Sequence, residues 1–241
     1  MQFFSCRLLS GSKNLVASKI HFYFDFISPY AYFAWRKLPV LAKKYNREIE
    51  AHPVVFGKLL DKWGQRGPAE IPPKRNWLNE YCLRYAALNG FKYNPPKKHP
   101  FNPLAALRMS LKEVSGVDQH RVIGSIFEGG WSYGADLGDL STLISLLTKQ
   151  SIDGESLSHK VLELDIKELL INETRCAIEK GVFGVPTIII DNNLFWGNDQ
   201  MDHIELLLGG KDPLDRERLK DQERPRAIDR KAFKSRINSD L

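Results

Sequence analysis

At 241 residues, 43% of them hydrophobic, the chain has ample material for one elaborated domain with its own core. Its net charge of +6 sits at the ends: residues 1–19 carry three basic and no acidic residues, residues 210–241 ten basic and seven acidic, and the body between them is neutral. A nucleic-acid surface is therefore not expected. No apolar run reaches the ~18 residues of a membrane span, and the scattered Cys6, Cys82 and Cys176 form neither a metal spacing nor a disulfide framework.

Residues 1–19 have Ser, Arg and Lys without acids. They read as an N-terminal extension of a cytoplasmic protein or, alternatively, as a mitochondrial transit peptide. The terminal Ser239-Asp240-Leu241 departs from a peroxisomal signal by its acidic middle residue. Ile20–Phe26 is the first predicted strand, and it runs directly into Ser28-Pro29. A helix follows to about Asn46, with Tyr32, Trp35, Leu38, Leu41 and Ala42 at helical spacing and Pro39 as an internal kink. Ser28 is of a preferred N-cap type, and Pro29 suits the first helical position. A hydroxyl there sees backbone N–H donors and the positive end of the helix dipole, a place for an anion such as a thiolate. An ordinary N-cap closing a core strand would carry the same residues. Glu48–Phe56 is the second strand, with Pro53 marking an edge or the end of pairing. Strand, helix and strand at this separation make a right-handed parallel βαβ unit.

From residue 58 to residue 164 the pattern is helical, with predicted helices at Lys74–Asn89, Pro103–Val114, Gln119–Trp131 and Gly138–Lys149. Trp77, Leu78, Tyr81 and Leu88 line the apolar face of the first, and Trp35, Trp77 and Trp131 are expected in the core. Asp165–Lys180 is a long helix closed by Gly181. Thr187–Asp191, an Asn192-Asn193 turn and Leu194–Trp196 form a hairpin, and Asn198–Leu208 is the closing helix. Residues 210–241 read as a loose charged tail, whose Leu214, Leu219 and Phe233 could dock on a second copy, so a homodimer stays open.

The order βαβ, helical insert, helix, Gly184-Val185-Pro186-Thr187, hairpin and closing helix resembles the DsbA family. The implied fold class is α/β, a thioredoxin-like βαβ…ββα core (20–57 and 165–209) with a large inserted all-helical subdomain (58–164). Where oxidoreductases of that fold carry Cys-x-x-Cys, this chain has Ser28-Pro29-Tyr30-Ala31, which excludes disulfide exchange there. Serine followed by Pro-Tyr is similar to the 2-hydroxychromene-2-carboxylate isomerases and the kappa-class glutathione transferases. Gly181-Val-Phe-Gly-Val-Pro-Thr187 and Phe195-Trp-Gly-Asn-Asp199 look closer to the isomerases.

The resemblance implies glutathione as cofactor and a small aromatic substrate, isomerised through reversible thiolate addition. The alternatives are conjugation of electrophiles, as in the transferases, or glutathione or peptide binding without turnover. It implies that Ser28 holds the sulfur. Val185, before a cis Pro186, would bind the cysteinyl backbone through its main chain, so that its side-chain identity matters little. Asn198 and Asp199 would take the γ-glutamyl end; an N-cap pair would read alike. Both relatives carry an asparagine where Gln65 stands ahead of Arg66-Gly67-Pro68, and the amide is retained one methylene farther out. Glu70 replaces a substrate-contacting asparagine of the isomerases, and a carboxylate is a poor neighbour for an anionic substrate, so the substrate could differ. Tyr30, Lys62, Glu70 and His99 are candidate pocket residues, although His99 by default sits on a surface loop. Lys58, Lys62, Arg66, Lys74 and Arg75 could supply cations or form a solvated face. No His-x-x-x-His or paired-carboxylate spacing is present, and no metal is expected.

Overall fold

The computed structural model describes residues 19–222. The expectations for the leader before Lys19, for Cys6, for Phe233 and for the C-terminal tripeptide lie outside them. The described elements in order are β1 (Ile20–Phe24), α1 (Pro29–Lys44), β2 (Ile49–Pro53), α2 (Phe56–Trp63) and α3 (Pro72–Leu88). Then come α4 (Leu104–Met109), α5 (Lys112–Ser115), α6 (Gln119–Phe127), α7 (Leu140–Thr148) and α8 (Gly154–Lys160). The described residues end with α9 (Leu164–Glu179), β3 (Thr187–Ile190), β4 (Asn193–Trp196), α10 (Met201–Leu208) and α11 (Arg216–Lys220). Two compact units part between Glu205 and Leu206. Among the described residues no helix is long and apolar enough to cross a membrane.

The sheet runs β2-β1-β3-β4, with β1 parallel to β2 and antiparallel to β3, and β3 antiparallel to β4. This is a thioredoxin-like α/β core with a helical insertion between β2 and α9. β1 is apolar on both faces because both are covered. Phe22 and Phe24 stack at 5.3 Å; Phe22 meets Trp35 of α1, and Phe24 meets Phe127 of α6. Tyr23 points the other way, into a cluster of Val54, Leu59, Ala177, Val182 and Val185 between α2 and α9. α9 turns Ile166, Leu170, Thr174 and Ala177 to this core, a stripe at helical spacing.

Several elements differ from their expected form. β1 stops at Phe24 and β2 at Pro53. The Asp25 carboxylate takes the N–H of Phe56, and Thr174 takes that of Val55, so Phe56 opens a helix rather than ending a strand. The hairpin turn falls one residue early: Asp191 (φ 48°) and Asn192 (φ 65°) occupy the left-handed region, and Asn193 enters β4. Pro103–Val114 is two helices, parted where the Ser110 hydroxyl bonds the Leu107 carbonyl. Gln119–Trp131 is α-helical only to Phe127 and continues as a π-turn, Glu128–Ser132. α8, capped by Asp153, and α11, capped by Asp215 within the expected loose tail, are additional helices. Trp35 and Trp131 are buried, but Trp77 and Leu88 are 58% and 86% exposed, against their expected place in the core. Trp77 instead stacks on Tyr81, and Tyr81 on Tyr85, as an aromatic wall along α3.

Candidate active site at the head of α1

The corner between β1 and α1 is held main-chain group by main-chain group. Asp25, an acid inside an apolar run, is fully buried, and its two oxygens accept the N–H groups of Ile27 (3.0 Å) and Phe56 (2.9 Å). Burial pushes its pKa up to about 7, against the lowering effect of those two donors. The carbonyl of Phe26 accepts the Trp131 indole N–H at 2.9 Å, and that of Ile27 meets His99 Nε2 at 2.8 Å. Burial lowers the His99 pKa, the Ile27 carbonyl partly opposes this, and the charge of Arg75 lowers it further. Facing a carbonyl, Nε2 carries the ring proton. His99 is therefore not a surface-loop residue but part of this corner.

Ser28, 9% exposed, caps α1: its Oγ accepts the Ala31 N–H at 3.2 Å and donates to the Val185 carbonyl at 3.3 Å. Pro29 has no N–H to offer, and that of Ala31 is taken. The first-turn donor left to an approaching anion is Tyr30, beside the Ser28 hydroxyl.

The Val185-Pro186 bond, across from Ser28, is cis. The Val185 side chain is packed in the core cluster with Tyr23 and Leu59, so its identity matters for packing. Its main chain is what faces the helix head. A side chain on Gly184 would put Cβ 2.5 Å from Trp196 Nε1, which is why a glycine brings this loop so close to β4. The Gly197 N–H donates to the Pro186 carbonyl at 3.0 Å with φ at 106°, tying the loop to the Asn198–Gln200 turn ahead of α10. Asn198 is buried; its Nδ2 donates to the Tyr81 hydroxyl at 3.0 Å, and its carbonyl accepts from Tyr85 at 3.4 Å. Its side chain thus fastens α3. Asp199 is exposed, and its charge adds to the burial that raises the Tyr30 and Tyr81 pKa values. Tyr30 meets Tyr81 edge-on at 5.1 Å.

Ser28, Tyr30, His99, Val185, Pro186, Asn198 and Asp199 therefore surround the head of α1. Lys62, Gln65 and Glu70 are exposed on α2 and the turn after it, and no described hydrogen bond joins them to that set. The Trp63 indole N–H, on the Val182 carbonyl at 2.9 Å, is what ties the end of α2 to the segment leading into Val185. Glu70 is not a bare carboxylate: Oε1 accepts the Gly67 N–H at 2.6 Å, and Arg66 pairs with it at 3.9 Å. Cys82, behind Tyr30, is buried, with its thiol pushed up to about 12, so it offers no nucleophile. Asp25 and the donor roles of Trp131 and His99 are what sequence reasoning missed. The acid within Phe22–Ile27 is the one local signal for them, together with the need of a buried indole N–H for an acceptor.

Residues 19–209 match the DSBA-like thioredoxin domain family. A 2-hydroxychromene-2-carboxylate isomerase of Sphingobium xenophagum is 30% identical, over 78% of this chain and 97% of that protein. Glutathione S-transferase kappa 1 of Rattus norvegicus is 22% identical, over 80% and 91% respectively. A solved structure of a 2-hydroxychromene-2-carboxylate isomerase superposes with a TM-score of 0.73 at 25% identity, covering 79% of this chain and 94% of that one.

Proposed function

The chain belongs to the DSBA-like thioredoxin domain family and, within it, to the family of the 2-hydroxychromene-2-carboxylate isomerases; from that premise we propose that it is a glutathione-dependent isomerase of a small aromatic carboxylate. The observation that carries this reading is the Ser28 hydroxyl at the head of α1, aimed at the Val185 carbonyl where a redox member would hold its thiol. When bound, glutathione would supply a thiolate that adds reversibly to an activated double bond, so that rotation and elimination return it unchanged. Ser28 would turn its O–H from Val185 toward the sulfur, and the Tyr30 N–H and the dipole of α1 would lower the thiol pKa. A charge-assisted bond of about 1.5–3 kcal/mol corresponds to roughly one to two pKa units. Val185 offers its main chain to the cysteinyl backbone, Asp199 its exposed carboxylate to the γ-glutamyl ammonium, and Gln65 an amide at the rim. Arg75, whose charge lowers the His99 pKa, would be a cation for a substrate carboxylate. The aromatic wall of Trp77 and Tyr81 suits a flat ring. A reducing compartment such as the cytoplasm, where glutathione stays a thiol, fits this reading.

The test is incubation of the full chain with glutathione and a panel of chromene carboxylates, followed by NMR and mass spectrometry. The expected result is isomerised product with free glutathione constant over many turnovers. Glutathione consumed as a stable thioether would make the protein a kappa-like transferase instead. Failure to bind glutathione at all would overturn both.

A further inference from the structure

At the end of β1 away from Ser28, the sheet gathers a second set of reactive side chains. His21 lies across from Glu50 in the parallel β1–β2 register, and His52 follows Glu50 at the two-residue strand period, so the three share one face. His21 Nδ1 is 3.0 Å from His52 Nε2, a Glu50 oxygen is 3.7 Å from the same nitrogen, and one donor atom of each lies within 4.8 Å of the others. Glu173, on α9, meets His52 Nδ1 at 2.6 Å. That carboxylate fixes the ring proton on Nδ1 and leaves the Nε2 lone pair directed at His21 and Glu50. Tyr23 stacks on the His52 ring at 4.6 Å and sets its plane.

We propose that His21, Glu50 and His52 form a binding site for one divalent transition-metal cation of the zinc class, with Glu173 orienting His52. The expectation of no metal rested on linear spacing, which cannot show ligands brought together by sheet register. Two imidazoles and a carboxylate are a donor set that zinc accepts, and with metal–nitrogen bonds of ~2.0–2.1 Å neighbouring donors in a tetrahedron lie about 3.3 Å apart. The observed 3.0 and 3.7 Å bracket that spacing, and the third pair, His21 and Glu50, lies within 4.8 Å, so closing the shell draws the Glu50 carboxylate toward His21 by about an ångström. Calcium or magnesium would require mainly oxygen ligands, which this set does not offer. The Glu50 side chain is 41% exposed, so the fourth position opens to solvent and water can fill it. Two cations oppose binding: Lys19, on Glu50 at 2.7 Å, and Lys180, on the Tyr23 hydroxyl at 3.2 Å.

The test uses untagged full-length protein, stripped with chelator and titrated with Co²⁺, then Zn²⁺. One equivalent of Co²⁺ should give a visible d–d absorption that Zn²⁺ abolishes. Glu173→Gln should weaken binding by ~10–100-fold, as loss of an outer hydrogen-bond partner does, and His21→Ala or His52→Ala by more. Lys19→Ala should tighten it by releasing Glu50, and His203→Ala, at an exposed imidazole on α10, should leave it unchanged. Circular dichroism of the metal-free variants reports folding; should either alanine variant unfold, the glutamine variant at that position replaces it. Absence of stoichiometric binding by the wild type overturns the site. So does binding that survives loss of both histidines, or that disappears with His203.

Discussion

The corner that seats Ser28 and the rim from Lys62 to Glu70 are built by opposite means. At the corner, Asp25, Phe26, Ile27 and Ser28 are each held by a partner distant in sequence, out of water. At the rim, apart from the Trp63 indole on the Val182 carbonyl, the bonds are local: Glu70 to Gly67, and Arg66 to Glu70, whose side chains are 68% and 52% exposed. Exposed pairs of that kind are worth about 0–1 kcal/mol, whereas a buried group that loses its partner costs ~1–3 kcal/mol. The contrast separates a braced corner, which on the proposed reading handles the sulfur, from a loosely held rim on the side proposed for the substrate.

The strongest way to break the comparison is Ser28→Ala. Turnover should fall on the order of 10²–10³-fold, as for loss of an oxyanion donor, while stability falls only by about 1 kcal/mol of N-cap energy. Near-normal turnover would make the position a cap and nothing more. Ser28→Cys sharpens the same point: the introduced thiol should titrate well below ~8.5, and an ordinary value would argue against an anion-stabilising helix head.

Asp25 gives the pH test. Its folded pKa of about 7 exceeds the unfolded carboxyl value, so the folded state holds the extra proton between them, and stability falls as pH rises from ~4 through ~7. Relative to Asp25→Asn, the wild type should lose about 3 kcal/mol between pH 5 and pH 8, read from denaturant midpoints at each pH. A pH-independent difference would mean that Asp25 is ionised throughout.

His99→Ala, which strips the donor from Ile27, should cost ~1–3 kcal/mol and lower turnover about tenfold by displacing Ser28, with glutathione affinity nearly kept. An unchanged turnover number would show that the corner stands without it. The smallest effect is expected at the rim. Glu70→Gln should change stability by less than ~1 kcal/mol and glutathione affinity by less than about twofold. Its effect should appear in the KM of anionic substrates; a large loss of turnover there would erase the distinction between rim and corner.

The strand–helix–strand opening and the N-cap at Ser28 were legible because each is written in nearby residues; the cis bond before Pro186 was legible only through the family resemblance that Gly184–Thr187 carries. The partners of the corner were not, since His99 lies 72 residues from Ile27 and Trp131 lies 105 from Phe26. Val54-Val55-Phe56 reads as strand in isolation; only Asp25 and Thr174, by capturing two of its N–H groups, turn it into the start of α2. Helix α8 was hidden by the weak propensity of Gly154, Ser156 and Ser158. Periodicity placed Trp77 and Leu88 on an apolar face but could not say whether anything covers it.

The π-turn Glu128–Ser132 carries Trp131, whose indole reaches Phe26 and whose carbonyl accepts the Asn94 N–H at 2.7 Å. A π-turn holds one residue more than an α-turn, and removing it would rotate everything beyond by about 100° around the helix axis. Trp131 would leave Phe26 without any change in its own identity. Descendants of this sequence are therefore expected to conserve the residue count from Gln119 to Ser132 more strictly than the letters within it. A single-residue gap in that interval would mark a lineage that has abandoned the indole brace.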